Sequence, residues 1–490
     1  VTYGPPPSPF TQSALSADSA RKKRRTKLLG AVGAVVVAVL CAGGWLLWYA
    51  GDDGTPAHER PSAARQAPDD IRETVEKLPG TPEGELVVDY AEEGLKKDKT
   101  VYAPGTWATD KILAKAVGSR LLGINARTYE EEPKWTLKLD GPVCATTRHV
   151  TADGRTAVVV QPARPKGSDL EGVCDELVFF DIDTGKKLWQ KKLPEADTAL
   201  VTNTNLTMTG GTVAVAWDAG SVAYGMSDGK QLWKSTSRSR CEDTGFAGGR
   251  TLLALVKCDR QGEPTFKVEK LDPRTGKVRW TYQVSSGIQR AFLPSSDPPV
   301  LAVAAGDDSV TDLISLDARG RHRATITLGD KFDPSCDRSY FGVVENCDAI
   351  VVGREQVFVA SEEQFENGQP ANWITGWDLA TGKTTKKFDG RPLQKIHPLR
   401  MSGDKLLAYR ESSDNIGPAA VVRLDPRTGK ESPYLFFNLP SDDVARLEDP
   451  STADIVVEQG KVFFSPRELR PDPKFPKYPV RAVLGIDSVT

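Results

Sequence analysis

Phe180-Asp181-Ile182-Asp183-Thr184-Gly185-Lys186-Lys187-Leu188-Trp189 reads as an apolar strand, a tight turn, and a second strand that leaves with lysine and tryptophan. The same phrase returns three times. Leu271-Asp272-Pro273-Arg274-Thr275-Gly276-Lys277-Val278-Arg279-Trp280, Trp377-Asp378-Leu379-Ala380-Thr381-Gly382-Lys383 and Leu424-Asp425-Pro426-Arg427-Thr428-Gly429-Lys430 are close copies. Weaker ones stand at 226–233 and 316–320. An aspartate carboxylate holds the N–H groups of a turn, and glycine supplies the positive φ that closes it. Asp183, Gly185, Asp272, Gly276, Asp378, Gly382, Asp425 and Gly429 are therefore expected to be turn residues without chemistry of their own. The glycines at 185, 229, 276, 320, 382 and 429 are usually 44 to 47 residues apart. Before each motif lies another strand of small and β-branched residues: 156–160, 212–216, 251–256, 300–304, 356–360 and 405–409. Four short strands per repeat, many times over, is the pattern of a β-propeller.

The repeat predicts an all-β chain of eight blades, at about 106–140, 145–193, 198–236, 243–285, 290–329, 340–389, 393–439 and 451–489. Seven is the alternative, because the first unit is the least regular. The last unit lacks an outermost strand, and Glu85-Leu86-Val87-Val88-Asp89-Tyr90 is a spare one that could complete it and close the ring. The D-x-x-T-G-K-x-x-W pattern resembles the PQQ-like repeat of quinoprotein-type β-propellers, over residues 105–490, in a membrane-anchored form of actinobacterial type. That resemblance implies tryptophans packed between adjacent blades, here Trp135, Trp189, Trp233 and Trp280. Lys387-Phe388, Pro433-Tyr434 and Ile326 stand where later tryptophans belong, so less regular packing is expected in the second half. The family holds both enzymes and binding scaffolds, so the fold alone does not give the function.

From Leu28 to Ala50 the chain runs 23 residues without a charge, enough for about 30 Å of helix and thus for a bilayer. Arg21-Lys22-Lys23-Arg24-Arg25 and Lys27 precede it, and Asp52-Asp53 follow. Basic residues stay cytoplasmic, which puts residues 1–27 inside as a Pro-rich tail and everything after residue 50 outside. A cleaved signal peptide shares the basic flank, but this run is longer and no A-x-A site follows it closely. Cys41 invites a lipoprotein reading, yet bulky Leu40 stands where a small residue belongs. The expected organisation is tail 1–27, membrane helix 28–50, linker 51–84 and propeller 85–490, with the chain at the cell membrane and its C-terminal domain extracellular.

The remaining six cysteines, Cys144, Cys174, Cys241, Cys258, Cys336 and Cys347, all lie on the exported side. An even number in an oxidising compartment argues for disulfides. Sequential pairing is the economical choice, since each pair then falls within one repeat. No C-x-x-C spacing suggests zinc.

Overall charge is −2, and acidic residues outnumber basic ones beyond residue 50, which argues against a nucleic-acid partner. A PQQ enzyme of this family is expected to carry an adjacent Cys-Cys pair and acidic and Asn ligands for calcium; no Cys-Cys occurs. Asp181-x-Asp183-x-Gly185 doubles as the repeat's own turn. The segment 376–384 mimics a phosphate loop, but it has five residues between its glycines and sits in strand–turn–strand. His149, His322 and His397 are isolated along the chain and read as surface or loop residues, with no histidine beside a carboxylate. No cofactor and no metal site is expected.

Two inserts break the period, 361–374 and 465–479. They carry Phe365, Trp373, Phe475 and Tyr478, the candidate binding residues, because recognition concentrates on loops of a rigid scaffold. The expected function is a non-catalytic binding module for a protein or cell-envelope component, recognised along the rim or at the central opening. A PQQ- or other cofactor-dependent dehydrogenase is the alternative.

Overall fold

Each copy of the motif folds as the hairpin between the third and fourth strands of an antiparallel sheet. The computed structural model describes residues 66–488, apart from 164–171, 237–240, 261–262, 307–308, 337–343, 367, 413–416, 440–446 and 448–449. The tail, the helix expected over 28–50 and most of the expected linker lie outside the described residues. Among those residues every regular element is a strand.

Among the described residues six sheets have four strands each, taken in chain order. The second, for example, is Val143–Thr146, Arg155–Val160, Glu176–Asp181 and Lys187–Lys192. An eight-stranded sheet holds two more four-strand runs. One is Ile396–Ser402, Lys405–Arg410, Ala420–Leu424 and Glu431–Phe437; the other is Ala453–Glu458, Lys461–Pro466, Val480–Ser488 and Glu83–Glu92. Glu83–Glu92 is the spare strand: it pairs antiparallel with Val480–Ser488, and its first two residues pair parallel with Phe436 and Phe437. Asp89 fixes this register through a two-oxygen ion pair with Arg481, both contacts at 2.6 Å. We number the four-strand runs first to eighth along the chain.

The second strands are near-continuous apolar runs buried on both sides, as in Thr212–Ala216 and Gln356–Ala360. They join apolar clusters that fill the space between neighbouring sheets. First strands pack on one another from the second sheet to the eighth, and Ala453–Glu458 packs on Thr106–Ala108 of the first. Trp107 Nε1 donates to the Thr147 carbonyl at 2.7 Å, so the first sheet also meets the second. The circuit of first strands is closed.

The tryptophans form a ladder around the first half of this circuit. Trp135, Trp189, Trp233 and Trp280 each donate from Nε1 to a backbone carbonyl of the next sheet: Ile182 at 3.1 Å, Met226 at 2.9 Å, Pro273 at 2.8 Å and Ala318 at 3.0 Å. Each acceptor lies two or three residues before the glycine of the next motif. Each indole also lies against that motif's glycine, so that a Cβ at Gly185, Gly229, Gly276 or Gly320 would run into the ring. Gly382 meets Ala324 and Thr325, and Gly429 meets Lys386, because no tryptophan precedes them.

Two expectations need correction. The compact unit begins at Ala67, so residues 67–84 belong to it and are not linker. And Asp183 is not the turn aspartate of its copy. Asp181 is: its Oδ1 accepts the Thr184 N–H at 2.8 Å and the Thr184 hydroxyl at 2.7 Å, as Asp272, Asp378 and Asp425 do for Thr275, Thr381 and Thr428. Asp183 instead reaches the first sheet, accepting from Thr109 Oγ1 at 2.6 Å and pairing with Lys111 at 3.3 Å. Gly185, Gly276, Gly382 and Gly429 all have φ between +66° and +78° and donate to the carbonyl four residues earlier.

Candidate functional site

The ends of the first strands form two openings to the axis, and a segment of the chain reaches across each. At the opening lined by the turns between first and second strands lies the segment 69–76. Arg72 N–H donates to Val150 O at 2.8 Å, Ala152 N–H to Asp70 O at 2.8 Å, and Gly211 N–H to Asp69 O at 3.2 Å. Glu73 pairs with Arg250, and Thr74 Oγ1 donates to Glu458 Oε1 at 2.7 Å. Glu76 is the anchor. Its buried carboxylate accepts from Arg400, from Tyr434 Oη at 2.8 Å, and from the N–H groups of Gln459 and Gly460 at 3.1 and 2.9 Å. With Arg72 also donating to the Ala108 carbonyl, this segment reaches the first to fourth, seventh and eighth sheets.

From the other opening comes the connection between the fifth and sixth sheets. Leu293 N–H donates to Val344 O at 2.9 Å, and Gly245 of the fourth sheet sits against Val344. Glu345 then enters the middle of the circuit. It accepts from Thr207 Oγ1 at 3.1 Å, Gly248 N–H at 2.9 Å and His149 Nε2 at 3.2 Å, while Arg148 donates to its carbonyl at 3.2 Å. Burial pushes the Glu345 carboxyl up, but the charge and hydrogen bond of His149, with Arg148 and the Gly248 N–H, hold it below the usual carboxylate range. Farther on, Asp348 takes both arms of Arg467, at 2.8 and 3.0 Å, and Arg467 Nε also reaches Asp454 at 2.9 Å.

His149 is therefore a half-buried histidine beside a carboxylate, a correction to its reading as an isolated loop residue. His397 is another, 3.2 Å from Glu411. His322 is exposed on the outer strand His322–Thr327, with its Nε2 2.9 Å from the Thr325 hydroxyl. The pairing joins residues 196 positions apart in the chain, and nothing local signals it. The one available signal is spacing: Gly320 and Gly382 are 62 residues apart, and the excess falls partly before Ile350 as well as in the 361–374 insert.

The two inserts project on the side where second strands end and third strands begin. In the first, Gln364–Glu366 pairs with Gln369–Ala371, and Phe365 is 72% exposed. Trp373 differs, being held within the chain: Lys387 Nζ lies 4.4 Å and Lys331 Nζ 5.7 Å from its ring, and Phe332 meets it edge-on. In the second insert, Glu468–Leu469 pairs with Val101–Tyr102. Phe475 and Tyr478 stand beyond, 54% and 69% exposed, with ring centroids 5.6 Å apart.

The cysteines meet in chain order. Cα separations are 6.1 Å for Cys144 and Cys174, 4.0 Å for Cys241 and Cys258, and 3.8 Å for Cys336 and Cys347, each within disulfide connection. Cys336 and Cys347 clip the connection that carries Glu345, ahead of the sixth sheet's first strand, Ile350–Val352. No two cysteines are adjacent, and among the described residues no group of three His, Cys, Asp or Glu side chains is arranged to hold a metal.

A family model described as outer membrane protein assembly factor BamB matches residues 103–240 and 175–433. No curated protein sequence matches the chain. Among solved structures, BamB from Moraxella catarrhalis aligns at 10% identity over 80% of this chain and 99% of its own, with a TM-score of 0.39. Quinohemoprotein alcohol dehydrogenase from Comamonas testosteroni aligns at 12% identity over 87% and 82%, TM-score 0.47. A europium-containing methanol dehydrogenase aligns at 13% over 85% and 93%, TM-score 0.42.

Proposed function

We propose, from the premise that this chain belongs to the outer membrane protein assembly factor BamB family, that it is a non-catalytic binding scaffold. Its four-strand runs make an eight-bladed propeller, tethered by a helix over residues 28–50 and displayed on the outer side of a membrane. The observation that carries the reading is the pair of segments across the axis: Glu76 and its neighbours are fastened at one opening, and Val344–Asp348 at the other. Binding is left to the outside, where Phe365, Phe475 and Tyr478 keep large apolar rings in water on inserts that break the repeat. Exposed aromatics on a rigid frame suit a protein or envelope partner, since such rings supply contact area at small entropic cost. The assembly role in the family's description supports a protein partner.

The test is cross-linking on intact cells with the wild type and with the Phe475→Ala/Tyr478→Ala pair. Cross-linked partner should fall at least several-fold in the pair, with unchanged thermal unfolding. Equal recovery would move the site elsewhere, and tight binding of PQQ with dye-linked alcohol or sugar oxidation would replace the reading by an enzyme. Topology is checked separately: protease added to protoplasts should digest residues beyond 50.

A further inference from the structure

Glu345 is a guest in a site that other parts of the chain build. Its hydrogen-bond donors come from three different sheets: His149 from the second, Thr207 from the third and Gly248 from the fourth. The carboxylate itself rides on a connection that lies outside the repeat. The donors are preset by the scaffold. Thr207 belongs to the fully buried strand Asn205–Thr209. Gly248 approaches it so closely that a Cβ at position 248 would collide with Met208 O and Thr207 Oγ1. A backbone N–H, a hydroxyl and an imidazole thus converge on two oxygens, with the Arg148 guanidinium beside them. An ionised carboxylate tolerates complete burial only with such a donor set.

We propose that the axis contains a carboxylate-binding site made by His149, Thr207 and Gly248, which the protein keeps filled in cis with Glu345. The same donors would take a free carboxylate such as acetate once the Glu345 side chain is removed. The tether accounts for the filling. A carboxylate held on the same chain competes at an effective concentration on the order of millimolar. Val344, the Asp348–Arg467 pair and the Cys336–Cys347 clip hold it in place. The site is separate from the exposed aromatics, so its failure would leave the surface reading untouched.

The experiment is chemical rescue. Glu345→Ala should melt well below the wild type, and sodium acetate should restore at least half of the loss in a saturable way. Sodium chloride at equal ionic strength and acetamide should not, and the wild type should not respond to acetate. Removing the donors, as in Glu345→Ala/His149→Ala/Thr207→Val, should abolish the rescue. Acetate that helps Glu345→Ala no more than it helps the wild type, or no more than acetamide does, would overturn the proposal. Should Glu345→Ala not fold, Glu345→Gln and His149→Ala are made singly and together. The site requires their effects on the unfolding equilibrium to fall at least tenfold short of multiplying, and independent effects would refute it.

Discussion

Gly185 and Gly429 occupy the same position of the same motif, with φ of +66° and +78°, yet they face different surroundings. A side chain in this left-handed region costs about 1–2 kcal/mol at either position. At Gly185 the added Cβ would also enter the Trp135 ring, whereas at Gly429 its nearest neighbour is the Lys386 Cδ at 3.6 Å. Overlap with a ring fixed by its own hydrogen bond to Ile182 cannot be relieved without moving the sheet. Gly185→Ala should therefore cost at least roughly 1 kcal/mol more than Gly429→Ala, read from urea midpoints at constant slope. Equal losses would mean that the indole ladder yields easily. The same contrast shows how far residues can be read from sequence. A turn aspartate and glycine are legible because the chemistry closes within five residues. The identity of the aspartate within Asp181-x-Asp183 was not legible, because Asp183 is used by a neighbouring sheet 74 residues away.

Among the elements, Glu83–Glu92 matters beyond its length. It is the outermost strand of the eighth run, and it joins the seventh through the parallel contact at Phe436 and Phe437. Val88 in its centre is 2% exposed, packed with Leu113, Phe463 and Val483. Val88→Asp should cost roughly 3 kcal/mol or more through an unpaired buried charge. Val75→Asp, on the preceding segment at 65% exposure, should stay within about 0.5 kcal/mol. Similar losses at both would deny the strand its closing role. The cysteines act at this scale too. Peptide mapping without reductant should return Cys144–Cys174, Cys241–Cys258 and Cys336–Cys347, and any peptide crossing between these pairs would contradict the arrangement. The strands, their order and the spare first strand were legible because a period of two within strands and a period near 45 between them are local patterns. The two axial segments were not, because their partners are scattered over as many as six sheets and share no spacing.

The whole molecule depends on a joint between its last sheet and its first, and that joint is polar. Thr106 Oγ1 donates to Asp454 Oδ2 at 2.9 Å, Arg467 bridges Asp454 and Asp348, and Lys115 lies fully buried beside them. Lys115 Nζ donates to the Ala103 carbonyl at 2.5 Å and to Thr106 Oγ1 at 3.1 Å. Burial lowers its pKa from the ordinary lysine value to about 8, with Asp454 opposing the shift and Arg467 adding to it. The sign of the consequence follows from proton counting. Below about pH 8 folded and unfolded chains both hold this proton. Between about pH 8 and the ordinary value near 10.5 the unfolded chain holds it and the folded chain does not. Folding releases a proton in that window, so the contribution of Lys115 to stability rises with pH there. Tyr90 and Tyr224, pushed up to about 12 by burial, titrate identically in a Lys115 variant and cancel from a comparison. Urea midpoints of the wild type and Lys115→Met at pH 7, 8, 9 and 10 should therefore differ by an amount that shifts steadily in favour of the wild type above pH 8. A difference that stays flat across this range would show that the ring closes around a lysine still in contact with water, and that the joint between the eighth sheet and the first is open to solvent.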